Sequence, residues 1–476
     1  MAGTSNSGIE KRSIEMVPDT ERHGTPKSQF TLWFGANTQI TAIVDGALAV
    51  VFGADALWAI IGLLIGNIIG GIVMALHSAQ GPQLGLPQMI SSRAQFGIIG
   101  AIIPLVLVVL MYIGFASTGA VLSGQAVNLI IGVETPWVGI VIFGALTALM
   151  AVLGYKYIHV LGRISSVTGL LGFLFITFSV FAKIDVVGII SDSDFAFPAF
   201  LSAIALSVGW QLTYGPYVAD YSRYLPRSTS SAKTFWFTFG GSVVGSQWSM
   251  TLGALIGAAA MTGTGNTFIE NQVEFVGEIV GGGVYALLIF IVILMGKLTV
   301  NTLNAYGAFI CSLTILTTFG NKDQIRRWTR TVFIVAIVAL TVLVALLASA
   351  DFLANFKNFV LALLMVFTPW SIINLTDYYL ISKDRFDIPA FYDRHGRYGK
   401  WNWRALLSYA IGVGIQVPFL AQSFYTGPLV AKLGGADISW LVGIVVTFVL
   451  YYVLIRNHGV APRETIYPEV DELARA

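Results

Sequence analysis

Ser207-Val208-Gly209-Trp210-Gln211-Leu212-Thr213-Tyr214-Gly215-Pro216 sets two glycines, a proline and a tryptophan inside one uninterrupted apolar stretch. Apolar stretches of about twenty residues read as membrane-spanning helices, and the glycines and proline read as an interruption of this one. A broken helix exposes backbone N–H and C=O groups that lipid cannot satisfy, so it is tolerated only where it lines a cavity enclosed by protein. The stretch predicts an intramembrane cavity with Trp210 at its wall.

Working outward, the rest of the chain has the same character. Of 476 residues, 56% are hydrophobic and 11% charged, with a mean hydropathy of +0.77. Such a composition cannot furnish a water-soluble surface. Twelve apolar runs, at 30–53, 57–77, 98–131, 136–154, 163–182, 196–220, 234–261, 283–306, 329–349, 354–381, 404–425 and 438–455, are long enough to span the bilayer. Of the 27 Lys and Arg, all but Lys183, Lys357, Lys432 and the intramembrane Lys297 fall in the tails or in connections on the same side as the tails. This asymmetry puts both termini in the cytoplasm and the protein in the cytoplasmic membrane.

Residues 1–29, polar and mixed in charge, read as a disordered cytoplasmic tail; 30–455 read as one transporter domain, and 456–476 as a second cytoplasmic tail. The lone Cys311 excludes an internal disulfide and a cysteine metal site. A second interruption, at Phe34-Gly35-Ala36-Asn37-Thr38-Gln39, lies in the first run, five runs before the interruption in the sixth. Interruptions in corresponding members of two sets of spans point to a secondary transporter built from inverted repeats, with its site between them near the midplane.

Specific residues then resemble a family. Gly81-Pro82-Gln83-Leu84-Gly85-Leu86-Pro87-Gln88-Met89-Ile90-Ser91-Ser92-Arg93-Ala94-Gln95-Phe96-Gly97 is similar to the signature between spans two and three of the nucleobase-cation symporters, in the purine/cytosine permease branch. Asp220-Tyr221-Ser222-Arg223-Tyr224-Leu225-Pro226, Leu32 to Asn37, Pro369-Trp370 with Asp377-Tyr378-Tyr379, and the segment from Tyr392 to Trp403 also match. The resemblance implies an all-α membrane protein of twelve transmembrane helices with the leucine-transporter fold, two inverted five-helix repeats plus two helices. It also implies import of a small planar heterocycle, a nucleobase such as cytosine or a purine, with H+ or Na+. Allantoin, hydantoin or a vitamin-related pyrimidine is the alternative cargo, and a transport-inactive membrane sensor the alternative class.

A flat ring needs aromatic plates and a few amides. In the family pattern the Gly-Trp pair of span six stacks on substrate, and Gly209-Trp210 matches it; a packing tryptophan is the alternative, since the chain has 11. In span three, Tyr112, Phe115, Gly119 and Ser123 share one helical stripe. Phe115 stands at the family's second plate, where relatives often carry Trp, and Gly119 where an amide often contacts the ring. Span eight carries Lys297, Asn301 and Asn304 as a polar stripe, and polar groups at this depth face the interior. The resemblance assigns Asn304, and less directly Asn301, to the substrate edge. Asn37 and Gln39, with Thr38, offer amides or carbonyls at the first break.

Coupling falls on the same elements. Gly296, Thr299 and Val300 match the span-eight positions that hold Na+ in related members, but Val300 removes a hydroxyl and Lys297 adds a cation. The lysine ammonium is expected to stand in for Na+, with Asp45 as its intramembrane partner; structural pairing of Lys297 alongside a surviving Na+ site is the alternative.

Other readings fall away. Gly296-Lys297-Leu298-Thr299 lacks the upstream glycine of a phosphate loop. Gly62, Gly66 and Gly70 read as close helix packing. With no nucleophile–base constellation, no metal-like histidine cluster and no nucleic-acid surface, the expectation is a transporter and not an enzyme, without cofactor or obligate protein partner, acting on a small heterocycle in a lipid bilayer.

Overall fold

The computed structural model describes residues 14–153, 155–262, 267–319 and 327–468, with side chains except at 155–160, 267 and 327. The first apolar run folds as α1 (Lys27–Asn37) and α2 (Ile40–Val51), bent by 61° at the break between them. α3 (Ala56–Leu84) leads through two single-turn helices, α4 (Gln88–Ser91) and α5 (Arg93–Phe96), into α6 (Ile102–Ile131). Then come α7 (Pro136–Leu153), α8 (Tyr155–Lys183) and the short α9 (Val186–Ser191). The sixth run is α10 (Phe197–Leu212) followed by α11 (Gly215–Ser222), and the seventh is α12 (Ser231–Thr262). After α13 (Thr267–Glu270) and α14 (Gln272–Ile279) follow α15 (Gly283–Phe319), α16 (Arg327–Ala348), α17 (Phe352–Thr376), α18 (Trp403–Gly414) and α19 (Ser439–Ile455).

Among the described residues, seven helical stretches are long and apolar enough to cross a membrane, and α1 with α2 makes an eighth when taken as one span. One of the seven, Trp328–Ile381, has 54 residues. At 1.5 Å per residue it would be about 80 Å long, more than twice the hydrocarbon thickness, so it is two spans. The turn Ser349–Asp351 divides it into α16 and α17.

Glycines set how closely the helices around the two breaks approach. On α3, Gly62, Gly66 and Gly70 press against the backbone of α10 at Phe200, Ile204 and Val208. A Cβ at Gly241, Gly245 or Gly253 of α12 would overlap or crowd the carbonyls of Phe30, Phe34 and Ile43. α12 therefore cradles both halves of the broken first span.

The break itself is satisfied internally. Thr38 and Gln39 leave the helical region, with Gln39 extended at φ −148° and ψ 157°. The carbonyls freed at the end of α1 accept from Gln39 Nε2 (Ala36 O, 2.7 Å), Thr38 Oγ1 (Gly35 O, 3.2 Å) and Ser249 Oγ (Asn37 O, 2.8 Å). This is the requirement for irregular backbone at membrane depth.

Three expectations need correction. The sixth run is not unwound around Gly209: α10 runs through Trp210 to Leu212, and only Thr213 and Tyr214, both still near right-handed helical angles, separate it from α11. Pro216 sits in the first turn of α11, where a proline costs no hydrogen bond. The expected disordered tail is ordered from Ile14: Ile14, Met16 and Val17 are buried, Val17 N–H donates to Gly85 O, and Arg22 Nη1 donates to Pro82 O. The run 404–425 is helical only to Gly414; after a 3-10 turn at Val417–Phe419, which contains Pro418, the chain forms a small hairpin, β1 (Ala421–Gln422) with β2 (Tyr425–Thr426).

Candidate functional site

The two breaks meet through Asn37, the last residue of α1. Its Oδ1 accepts from Trp210 Nε1 at 2.6 Å and from the Tyr214 hydroxyl at 3.1 Å. Its Nδ2 donates to Trp33 O and Ser242 Oγ. Asn37, expected to offer its amide to substrate, is instead fully buried and occupied by protein. What it does is hold the polar edge of the Trp210 indole. Behind it Ser242 donates to Gln211, which donates to Asn67 and Ser246, so α3, α10 and α12 share one satisfied polar layer.

Trp210 is 2% exposed. Phe115, half-buried, meets it edge-to-face, with centroids 5.8 Å apart and planes at 89°, and meets Phe359 of α17 the same way at 5.2 Å. The two sequence-predicted plates are thus neighbours, but perpendicular. A planar ring stacked on both requires Phe115 to turn. Gly209 faces the other way: a Cβ there would lie 3.0 Å from Val360 and 3.4 Å from Leu364, so it permits the α10–α17 contact. Sequence reasoning passed over the remaining rings of this cluster, Trp33, Tyr214 and Tyr217, which pack on one another around Asn37. The signal was present in the helical spacing of Tyr214, Tyr217 and Tyr221.

The span-eight stripe divides by what its side chains touch. Lys297, 3% exposed, donates from Nζ to Gln39 Oε1 at 3.1 Å and to Thr41 Oγ1 at 2.7 Å, so its ammonium lies at the first break. Thr41 was not anticipated. Asp45 is not the partner: it lies one turn further along α2, about 6 Å beyond Thr41 by helical rise. Asp45 is fully buried, and neither carboxyl oxygen has a hydrogen-bond partner among the described residues. Asn301 donates from Nδ2 to Ala116 O at 2.7 Å, while its buried Oδ1 has no partner among the described residues. Asn304 is half-buried, and no described residue hydrogen-bonds its side chain. The unpaired amide groups of this stripe are therefore Asn304 and the Oδ1 of Asn301.

Thr299 points to α8, where its Oγ1 lies 3.2 Å from Ser165 Oγ and donates to Met295 O. Gly296 is open, with no atom within 4 Å of where a Cβ would stand. The structure brings Gln39, Lys297 and Asn301 into one region and leaves Thr299 and Gly296 on other faces of α15.

The long motif from Gly81 to Gly97 builds a second polar structure, toward the side carrying the tails. Gln88 Nε2 reaches His77 Nδ1 and Gln80 Oε1; Gln80 Nε2 donates to Asn374 Oδ1; Asn374 Nδ2 donates to Gln95 Oε1; Gln95 Nε2 donates to Asp377 Oδ2. The Tyr451 hydroxyl closes the chain on Asp377 Oδ1. This ladder joins α3, the α4–α5 segment, α17 and α19.

Residues 16–443 match the family described as permease for cytosine/purines, uracil, thiamine and allantoin. The chain is 38% identical over 448 residues, 94% of its length, to YxlA of Bacillus subtilis (96% of that protein), a provisionally assigned purine-cytosine permease. Its fold matches the nucleobase-cation-symport-1 family transporter Mhp1, with a TM-score of 0.72 to a closed form with bromovinylhydantoin bound (20% identity) and 0.77 to an inward-facing form (19% identity), covering 98% of this chain and 99% of Mhp1 in each. A Na+-coupled sialic acid symporter shares the fold at a TM-score of 0.63, with 12% identity over 95% of this chain and 94% of that protein.

Proposed function

Because the chain belongs to the family of permeases for cytosine/purines, uracil, thiamine and allantoin, we propose that it carries a nucleobase or related planar nitrogen heterocycle across a cell membrane by alternating access, coupled to protons. The observation that carries this reading is the meeting, at the two interrupted helices, of a buried aromatic face and a buried ammonium: Trp210 fixed by Asn37, and Lys297 at Gln39 and Thr41. The ring stacks on Trp210 with Phe115 turned against it, and Asn304 and Asn301 Oδ1 read its polar edge. Lys297 occupies the break as a cation that gains and loses a proton during the cycle. Asp45, buried on α2 and without a hydrogen-bond partner among the described residues, is the second ionisable group of the pathway, since ionisable groups inside a membrane mark functional sites.

This reading takes the molecule as twelve spans, two inverted repeats of five plus two, with both termini cytoplasmic. The interruptions at Thr38–Gln39 and at Thr213–Tyr214 fall in the first members of the two repeats. Na+ is the alternative ion; the ammonium in the break, Val300 and the placement of Gly296 and Thr299 on other faces of α15 weigh against it.

Uptake into proteoliposomes tests both halves. Labelled cytosine, adenine, uracil, allantoin and hydantoin are offered under an inward proton gradient without Na+. Saturable accumulation of one ring class is expected. Accumulation only with Na+ overturns the proton assignment, and accumulation of no ring overturns transport.

A further inference from the structure

Gly119 of α6 faces α15 where Lys297 and Asn301 converge. A Cβ at Gly119 would overlap Asn301 Oδ1, stand 2.8 Å from Lys297 Cε and 3.0 Å from Asn301 Cγ. Real Cβ atoms do not tolerate such contacts in a packed interior. Asn301 cannot retreat freely, because its Nδ2 is held on Ala116 O, one turn before Gly119 on the same helix. Lys297 cannot retreat freely either, because its stem must pass this point to bring Nζ to Gln39 and Thr41. One missing side chain therefore provides the space for two groups with different tasks, an unpaired acceptor and a reaching cation.

We propose that Gly119 is a positioning residue that packs the Asn301 amide against the Lys297 stem, and thereby links substrate binding to the protonation of the lysine. When a substrate N–H engages Asn301 Oδ1, the amide moves within the space beside Gly119 that it shares with Lys297 Cε, and the ammonium shifts relative to the break. Conversely, a lysine that leaves Gln39 and Thr41 moves its stem against the amide. By linkage the effect is reciprocal. The inference rests on the assignment of Lys297 as the coupling group. The other ionisable side chains on the elements that touch the lysine are Asp45 on α2 and Tyr112 on α6. Neither shares a hydrogen bond with it.

The test is the pH dependence of equilibrium binding in detergent, with whichever of cytosine, adenine, uracil, allantoin and hydantoin binds the wild type most tightly. Wild type is expected to change its Kd on the order of tenfold as the lysine titrates. In Lys297→Ala the pH dependence is lost, and in Gly119→Ala it is lost as well while measurable binding remains. Gly119→Ala with wild-type pH dependence overturns the proposal and leaves the lysine assignment standing. Lys297→Ala with wild-type pH dependence removes the lysine assignment, and the proposal with it; binding of none of the five rings removes the transport reading beneath both. A purely structural glycine would lower affinity equally at all pH values. If Gly119→Ala is not recovered as a monodisperse protein, the Gly119→Ala/Lys297→Ala/Asn301→Ala combination decides. Recovery of the fold there shows that these two side chains fill the space, and continued misfolding overturns the pairing.

Discussion

Lys297 Nζ lies 2.7 Å from Thr41 Oγ1, a contact spanning 256 positions of the chain that ties α15 to the break between α1 and α2. With Gln39 Oε1 at 3.1 Å, the ammonium has two neutral oxygen partners and no carboxylate among its hydrogen bonds. Hydrogen bonds from a protonated amine are stronger than those from a neutral one, so this contact ties the two helices more tightly when the lysine is charged, as the proposed coupling role requires.

Lys297→Ala is expected to abolish accumulation under a proton gradient and to leave Gln39 Oε1 and Thr41 Oγ1 without their donor, each worth about 1–3 kcal/mol if buried and unsatisfied. Lys297→Arg should bind substrate but accumulate poorly, because a guanidinium does not release its proton in a protein. Asp45→Asn should lower uptake more than it lowers thermal stability. Uptake by Lys297→Ala that rises saturably with Na+ at fixed pH would make the lysine structural.

Trp210 is expected to make two separable contributions. Trp210→Ala removes a ring face and should weaken binding by about 1–3 kcal/mol, roughly tenfold to a hundredfold. Trp210→Phe keeps a face but loses the 2.6 Å bond to Asn37, and should cost about 0.5–1.5 kcal/mol. Calorimetric affinities for the two variants measure the split. Unchanged affinity in monodisperse Trp210→Ala takes the residue out of the site.

In the polar stripe, Asn304→Ala should weaken binding by about 1–3 kcal/mol, since substrate groups lose their hydrogen-bond partner. Phe115→Ala should cost less, because its ring meets Trp210 by its edge, at 89°, and must turn to stack. Competition binding with both variants checks the order, and a lethal Phe115→Ala beside a silent Asn304→Ala reverses it.

The membrane class and the first break were legible because hydropathy and the Asn37-Thr38-Gln39 interruption are local properties of the chain. Trp210, Lys297 and Asn301 could be singled out for the same reason, as polar or aromatic groups in apolar helices. What they touch could not. Asn37 and Trp210 are 173 positions apart, and whether an asparagine faces a substrate or an indole N–H depends on how α1 and α10 are rotated in the bundle. Likewise Lys297 reaches Thr41 and not Asp45 because of the axial register of α15 against α2, a quantity with no signature in either segment. The break in the sixth run was misplaced by a few residues because Gly209 looks like a helix breaker, whereas it is a contact surface for Val360 and Leu364.

The amide ladder accounts for two of the three glutamines of the motif from Gly81 to Gly97, Gln88 and Gln95, and it yields a prediction independent of substrate. Gln95 accepts from Asn374 at 3.2 Å and donates to Asp377 at 2.9 Å, so Gln95→Leu strands a buried amide donor and removes one of the donors to a buried carboxyl. Each orphaned group costs about 1–3 kcal/mol, more where a charge is involved. Gln95→Glu should be worse than Leu, because it keeps the volume but sets a second carboxyl against Asp377 in place of an N–H. Asp377→Asn, which keeps one acceptor oxygen for Gln95 Nε2 and Ser382 Oγ and turns its NH2 toward the Tyr451 hydroxyl, itself able to accept, should be the mildest of the three. Thermal unfolding of purified protein followed by size-exclusion chromatography should therefore rank wild type above Asp377→Asn, then Gln95→Leu, then Gln95→Glu. Because the ladder spans α3, the α4–α5 segment, α17 and α19, the loss should appear as a lower unfolding temperature with Trp210-dependent binding intact at low temperature; an unchanged unfolding temperature in Gln95→Leu would mean that the ladder contributes nothing to holding these helices together.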